Sequence, residues 1–223
     1  VDKRLEFQMA KDRCRKRLLK YTRQAFRMLP PVDRPHILDI GCGSGLPALE
    51  LARLSNSEIT AIDINQELLD MLREYSIRAG LSDRIRVLYL SLFDMEFDDE
   101  SFDIIWSEGS IWITGFEKGL KDWRRLLKPT GYMVIHDEKG DIDEKLRQIS
   151  RHGYNLLHYF AVDKDTWWSD YFAPLERLAN KTRGEYDSAA DIPAYVLDAE
   201  REIDDFKTYP DKNQSAVFLL RKI

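Results

Sequence analysis

Apolar side chains recur at helical spacing through residues 5–29, where Leu5, Met9, Leu18, Tyr21/Thr22, Ala25 and Leu29 fall on one face. The spacing predicts one amphipathic helix, ended by Pro30-Pro31. After Pro35 the texture changes. His36-Ile37-Leu38-Asp39-Ile40 is a short apolar run closed by glycines, as a buried strand requires. Leu46–Leu54 then reads as a helix, Glu58–Ile62 as a second strand ending at Asp63, and residues 65–79 as a helix stopped by Gly80. Residues 84–90 and Phe102–Trp106 supply a third and a fourth strand. Thr114 and Glu117 stand at capping-box spacing and predict a helix running to Leu127. A turn at Lys128-Pro129-Thr130-Gly131 precedes a fifth strand over 132–135.

Such alternation predicts an α/β fold with a Rossmann-like, doubly wound, mostly parallel seven-stranded sheet and helices on both faces. Residues 143–152 read as a helix, 154–162 as a sixth strand and 215–222 as the last. The intervening 163–214 is too long for a plain loop and predicts a helical insertion before the last strand. The expected organisation is a single domain over 1–223. It comprises a basic N-terminal helix (1–35), a cofactor-binding core (36–140) and an insertion (163–214) forming a substrate lid.

Composition adds a few limits. With 223 residues, 43 % of them apolar, the chain buries a full core. No apolar run reaches the ~18–20 residues of a membrane span, and the opening Val1-Asp2-Lys3-Arg4 lacks a signal-peptide pattern. Cys14 and Cys42 form no CxxC pair, so a reducing, cytoplasmic setting is expected and structural zinc is not. The net charge of −5 divides into +7 over residues 1–35 and −12 over the rest. A basic arm of this kind either meets an anionic partner or is a solvated helix face. Either a monomer or a homodimer is expected.

The candidate chemistry centres on Asp39-Ile40-Gly41-Cys42-Gly43-Ser44-Gly45, between a strand and a helix. Glycines there admit a sharp turn and close approach of a ligand to free amides at a helix N-terminus. Asp63 ends the next strand, 18 residues after Gly45, where an acid accepts both hydroxyls of a ribose. A dinucleotide fingerprint needs a small residue where Leu46 stands. Asp39 would also repel a pyrophosphate, and it suits a cationic amine.

The segment Ile37–Gly45 resembles the first motif of class I S-adenosylmethionine-dependent methyltransferases. The likeness continues through Asp63, Phe102–Trp106 and Leu126–Gly131, covering about residues 36–136. It is similar to the ubiquinone/menaquinone-biosynthesis type of small-molecule enzyme. Trp106–Ile111 and Trp167–Pro174 resemble a group of uncharacterised bacterial and archaeal methyltransferase-like proteins. The resemblance implies a methyltransferase with S-adenosylmethionine as cofactor, S-adenosylhomocysteine as product and a small-molecule acceptor. It implies that Gly41, Cys42, Gly43 and Gly45 line the methionine part, with Asp39 near its amine and Ser107 facing it. Asp63 would hold the ribose, Ile64 would pack on adenine, and Ser91 and Leu92 would meet the adenine edge. Many relatives carry Asp where this chain has Ser91.

Methyl transfer from a sulfonium needs mainly alignment and exclusion of water. A base is needed only when the acceptor must lose a proton early. Glu108, His136, Asp137 and Glu138 stand at strand ends, with Glu108 and His136 the expected catalytic pair. His136-Asp137-Glu138 is not read as a metal cluster, because neighbouring strand residues point to opposite faces. Trp112, Trp168 and Tyr171 are candidate acceptor contacts; the alternative for the last two, and for Trp167, is the insertion's own core. The N-terminal helix can close over the cofactor and bring Tyr21, Thr22 or Arg23 to it. Two other functions stay open: nucleic-acid (tRNA/rRNA) methylation, motivated by the basic arm, and nicotinamide-dependent oxidoreduction.

Overall fold

The computed structural model describes residues 2–223. Helix α1 (Lys3–Arg15) is followed by α2 (Leu19–Met28), and then by β1 (His36–Ile40), α3 (Leu46–Leu54), β2 (Glu58–Asp63) and α4 (Gln66–Arg78). Next come β3 (Ile85–Tyr89), β4 (Phe102–Glu108), α5 (Phe116–Trp123), β5 (Leu127–Glu138), α6 (Ile142–Arg151) and β6 (Tyr154–Val162). Helices α7 (Lys164–Trp167), α8 (Ala173–Arg183) and α9 (Ala194–Thr208) precede β7 (Ser215–Lys222). The sheet has seven strands in the order β3-β2-β1-β4-β5-β7-β6. Strands β1 to β5 pair in parallel, and β7 runs antiparallel to β5. This is the expected Rossmann-like, mostly parallel arrangement.

Both faces of the sheet are buried, which explains the nearly continuous apolar strands. Ile37, Ile59, Ile104, Val134 and Leu219 pack on one side with Ala25 of α2, with Leu29 just after it, and with residues of α3 and α4. Leu38, Ile62, Ile105, Ile135 and Phe218 pack on the other with α5 and α6. The period of two along each strand therefore assigns the polar strand ends as well. Asp39, Glu108 and His136 continue the α2 side, whereas Ser107 and Asp137 continue the α5–α6 side.

The chain divides into two compact units. Lys20–Ala161 and Ser215–Ile223 contain the sheet; the chain through Leu19, with Val162–Gln214, forms the other. In that second, helical unit Phe7, Phe172, Leu175, Val196, Ile203 and Phe206 build a separate core. Among the described residues no helix is long and apolar enough to cross a membrane.

Three local expectations are corrected. The first helix is not continuous over 5–29, because exposed Lys16 and Arg17 lie in a 3-10 turn, Lys16–Leu18, between α1 and α2. This tighter turn lets the stripe of α1 face the helical core (Phe7, Cys14, Leu18) and the stripe of α2 face the sheet core. Thr114 does not cap α5; its hydroxyl bonds the Ile111 carbonyl (2.9 Å), and Gly115, at φ 85°, takes the cap position. Lys128–Gly131 is an outward bulge within β5 rather than a turn before it. Phe102 pairs with Leu127 and Ile104 already with Tyr132, Thr130 sits at φ 62°, and Lys128 is tied to Asp103 at 2.8 Å.

Candidate functional site

The loop after β1 is shaped by what glycine omits. Gly41 and Gly45 have φ of 72° and 74°. A Cβ on Gly41 would lie 2.4 Å from Ser110 Cβ, and one on Gly45 2.1 Å from Leu72 Cδ1. The Gly41 and Cys42 amides both donate to the Ile62 carbonyl, at 2.9 and 3.0 Å, which ties the loop to the end of β2. The Gly43 amide donates to Asp63 Oδ2 (2.8 Å), and the Asn65 amide to Oδ1 (2.9 Å). A carboxylate offers about four acceptor positions, so each oxygen retains one for a hydroxyl.

The loop after β3 is drawn to the same corner. The Leu90 amide donates to the Asp63 carbonyl at 3.0 Å. Ser91 closes a turn, its hydroxyl accepting from the Phe93 amide and its carbonyl from the Asp94 amide (both 3.1 Å). Leu92 is half-buried beside it, and Ile64 is 64 % exposed, an open apolar surface next to Asp63. The corner joins amides, a diol-accepting acid and an apolar platform, the set an adenosine needs.

Asp39 is the unusual member. It is buried, and its Oδ2 has no hydrogen-bond partner among the described residues. Burial, then the nearby charges of Glu108 and Asp63, hold its carboxyl well above the usual carboxylate range. Burying an acid this way is costly unless a partner arrives. Cys42 is also buried, and burial with the charges of Asp39 and Asp63 pushes its thiol up, leaving it inert.

Glu108 and His136 are direct partners across β4 and β5. Glu108 Oε1 accepts from Thr22 Oγ1 of α2 and from the Trp106 indole, both at 2.8 Å. Its Oε2 faces His136 Nδ1 at 4.0 Å, and His136 Nε2 lies 2.7 Å from Ser215 Oγ of β7. Burial pushes the Glu108 carboxyl up; His136, the indole and the Thr22 hydroxyl outweigh it and hold it low. Of the three α2 residues expected near the site, Thr22 reaches it. Arg23 pairs with Glu50 at 2.9 Å and Tyr21 packs near Phe160. Trp106 and Ser215 were not singled out as site residues by the sequence; only the period-two face of their strands placed them on this side.

The other expected residues are placed differently. Ser107 is fully buried, bonded to Ser110 (2.7 Å), whose hydroxyl donates to the Ile40 carbonyl (2.5 Å). Through Ser110 it is tied to the end of β1, just before the glycine loop. Asp137 points to that same side and pairs with Lys145 at 2.6 Å, so it and His136 diverge. Among the described residues no group of three or more His, Cys, Asp or Glu could hold a metal. Trp112 is 64 % exposed after β4, its indole donating to the Gly109 carbonyl (3.0 Å). Tyr171, a candidate acceptor contact, is buried in the helical unit, and its hydroxyl donates to Glu202 at 2.8 Å. Trp168 stacks on Phe206 at 5.8 Å in the same unit. The packing of both follows the core alternative. A groove of about 750 Å³, lined by Phe116, Glu117, Lys145 and His152, opens between α5 and α6, on the face opposite Asp39 and Glu108.

Residues 38–135 match the Methyltransf_11 family, a methyltransferase domain. A sterol 24-C-methyltransferase of Gibberella zeae is 28 % identical over 172 residues, 63 % of this chain and 45 % of that protein. The chain spans less than half the length of the first curated relatives it matches. A solved S-adenosylmethionine-dependent methyltransferase from Geobacter sulfurreducens, in complex with S-adenosylhomocysteine, superposes with a TM-score of 0.70 at 19 % identity, covering 93 % of this chain and 90 % of that one. The cyclase SpnF superposes at 0.73 with 20 % identity, over 91 % and 80 % of the two chains. One fold thus carries more than one reaction, and the site must decide. Residues 38–135 of this chain are thus similar to a methyltransferase domain.

Proposed function

We propose that the protein transfers a methyl group from S-adenosylmethionine to a small-molecule acceptor. The observation that carries this reading is the buried Asp39 with a carboxyl oxygen that no group among the described residues satisfies. Such an oxygen, inside a glycine loop and beside Glu108 and Asp63, fits an ammonium and a cationic sulfur. It opposes a pyrophosphate, which argues against the nicotinamide reading. When bound, S-adenosylmethionine supplies a methyl group already activated by its sulfonium charge. Asp39 holds the amino end, the 41–45 loop lines the methionine part, and Asp63 accepts the ribose hydroxyls. Ile64 packs on the adenine face, and Ser91 with Leu92 meets its edge. The acceptor-recognising role of 163–214, a cytoplasmic setting for the free Cys14 and Cys42, and a monomeric or homodimeric state belong to the same proposal. The basic first helix supports the solvated reading over the nucleic-acid one. Lys11 pairs with Glu202 at 2.6 Å, and Arg15 lies over the Tyr171 ring within the helical unit.

The test is calorimetric titration of ligand-stripped protein with S-adenosylmethionine, S-adenosylhomocysteine, NAD and NADP, and with tRNA at two salt concentrations. Binding of the adenosyl ligands alone, with dissociation constants of about micromolar, is the expected result. Nicotinamide binding without adenosyl binding overturns it. Asp39 also sets a sign. A cation lowers its raised affinity for a proton, so binding releases a proton to buffer and tightens as pH rises. Repeating the titration in buffers of different ionisation enthalpy measures that release.

A further inference from the structure

We propose that Arg13, Arg17 and Arg177 of the helical unit form a binding site for a phosphoryl group. The inference is independent of the methyl-transfer reading and concerns the basic first helix, which that reading leaves without a task. The helical unit, the chain through Leu19 with Val162–Gln214, carries 16 Asp and Glu against 14 Lys and Arg. Carboxylates are therefore in ample supply for its cations. Lys3, Lys11, Lys164, Arg183, Arg201 and Lys207 each take one. Arg13, Arg17 and Arg177 are exposed and take none among the described residues.

The packing of α1 on α8 brings the three together. Lys3 meets Glu185 at 3.7 Å, and Arg15 lies over the Tyr171 ring at 5.7 Å. The start of α1 therefore lies beside the end of α8, and its last turn beside the residues just before α8. That antiparallel register sets Arg177 alongside the last turns of α1. Arg13 and Arg17 are four residues apart, a spacing that puts them on one face across the end of α1 and the 3-10 turn after it. Partly exposed Cys14 lies among them, its thiol donating to the Ala10 carbonyl at 3.5 Å. Burial pushes this thiol up, and the charges of Arg13, Arg17 and Arg177 all act against it.

The bland account is a solvated cationic surface. The dipole at the end of α1 does favour Arg13 there. It gives no reason for Arg177, which stands inside α8. Three like charges gathered around one thiol repel one another, and an anion among them removes that repulsion. Guanidinium forks match the paired oxygens of a phosphoryl group. A compact dianion suits the site better than a nucleic acid, because the unit has more acids than bases and would repel an extended polyanion. A soluble phosphate ester and a phospholipid headgroup present the same group.

The experiment uses Cys14 as reporter, since Cys42 is buried. Its alkylation by uncharged iodoacetamide is followed in inorganic phosphate and in sodium chloride of equal ionic strength, with Cys14→Ser identifying the signal. The proposal expects phosphate to slow the reaction saturably, about fivefold or more at ten times the apparent dissociation constant, and chloride to leave it unchanged. In Arg13→Gln and Arg177→Gln the phosphate concentration for half the effect should rise by about tenfold or more, as the loss of one charge-assisted contact implies. Equal slowing by chloride, or a parental phosphate response in both variants, overturns the site. Sedimentation with phosphatidylcholine vesicles, with and without phosphatidic acid, then separates the two sources. Phosphatidic acid binding that free phosphate displaces assigns the group to a lipid headgroup. Phosphate protection without vesicle binding assigns it to a soluble ester. Protection of Cys14 by tRNA and not by phosphate overturns the proposal in favour of a nucleic acid.

Discussion

Two carboxylates, one in each unit, are treated in opposite ways: Asp39 is buried, and Glu202 is partly buried. Glu202 of the helical unit receives Lys11 at 2.6 Å and the Tyr171 hydroxyl at 2.8 Å. Burial pushes its carboxyl up, and Lys11, Arg15 and Tyr171 outweigh burial and hold it low. Asp39 of the sheet unit has burial and two like charges, and one oxygen without a donor. The first acid is completed by the chain. The second is left incomplete in a place where a ligand's cation belongs. The difference separates a residue that holds structure from one kept for binding, and it lies in the partners each acid is given.

Breaking the corner that surrounds Asp39 should give the largest effect. Gly41→Ala demands a Cβ 2.4 Å from Ser110 Cβ at a φ of 72°. Ser110 cannot yield easily, since it is bonded to Ser107 and to the Ile40 carbonyl. A loss of about 3 kcal/mol or more in stability is expected from clash and backbone strain together. Denaturant unfolding measures it, with loss of adenosyl binding in the same preparation.

Asp63→Ala comes next. It removes the acceptor of the Gly43 and Asn65 amides as well as the expected ribose partner. Adenosyl affinity should fall by about a hundredfold, near 2.7 kcal/mol, the size of two charge-assisted hydrogen bonds lost together. Parental affinity in calorimetry would remove Asp63 from the site.

Asp39→Asn sharpens the comparison because its two effects have opposite signs. With the carboxyl raised in the folded state, the folded protein holds the proton at pH values where the unfolded chain has released it. Stability of the ligand-free protein therefore falls as pH rises through that window. Asparagine removes the penalty, so the ligand-free variant should gain about 1–3 kcal/mol near neutral pH. The same change should weaken adenosyl binding and abolish the proton release. A variant less stable than the parent at neutral pH would show that Asp39 is completed within the fold after all.

The glycine loop, Asp63 and the strands were legible because their signals are local: glycine at positive φ, an acid at a strand end, apolar runs buried on both faces. The same strand periodicity foretold that His136 and Asp137 would diverge. Legibility failed where a long-range partner decides. Thr114 has the spacing of a cap, yet Gly115 takes that position and Glu117 is drawn to His152 at 2.9 Å. The bulge at Lys128–Gly131 follows from Asp103 across the strand pair, which no local pattern announces. Ser107 sits at the right strand end, but the preference of its hydroxyl for Ser110 is a tertiary fact. Tyr171 and Trp168 were ambiguous for a physical reason: an aromatic wall and an aromatic core have the same composition, and the partner rings alone distinguish them.

Tyr171→Phe should give the smallest effect and addresses the other half of the comparison. The ring stays in the helical core against Phe172 at 5.0 Å, and only the bond to Glu202 is lost. A cost of about 1 kcal/mol is expected, with adenosyl affinity unchanged. Its pH dependence runs opposite to that of Asp39. Glu202 is held low in the folded state, so its contribution is present above the unfolded carboxylate range and is lost as pH falls through the folded value. The difference between parent and Tyr171→Phe should therefore shrink on acidification, whereas the gain from Asp39→Asn grows as pH rises from the carboxylate range. Should Tyr171→Phe instead weaken adenosyl binding severalfold, Glu202 would belong with the binding residues, and the contrast between a completed acid and a waiting one would fail.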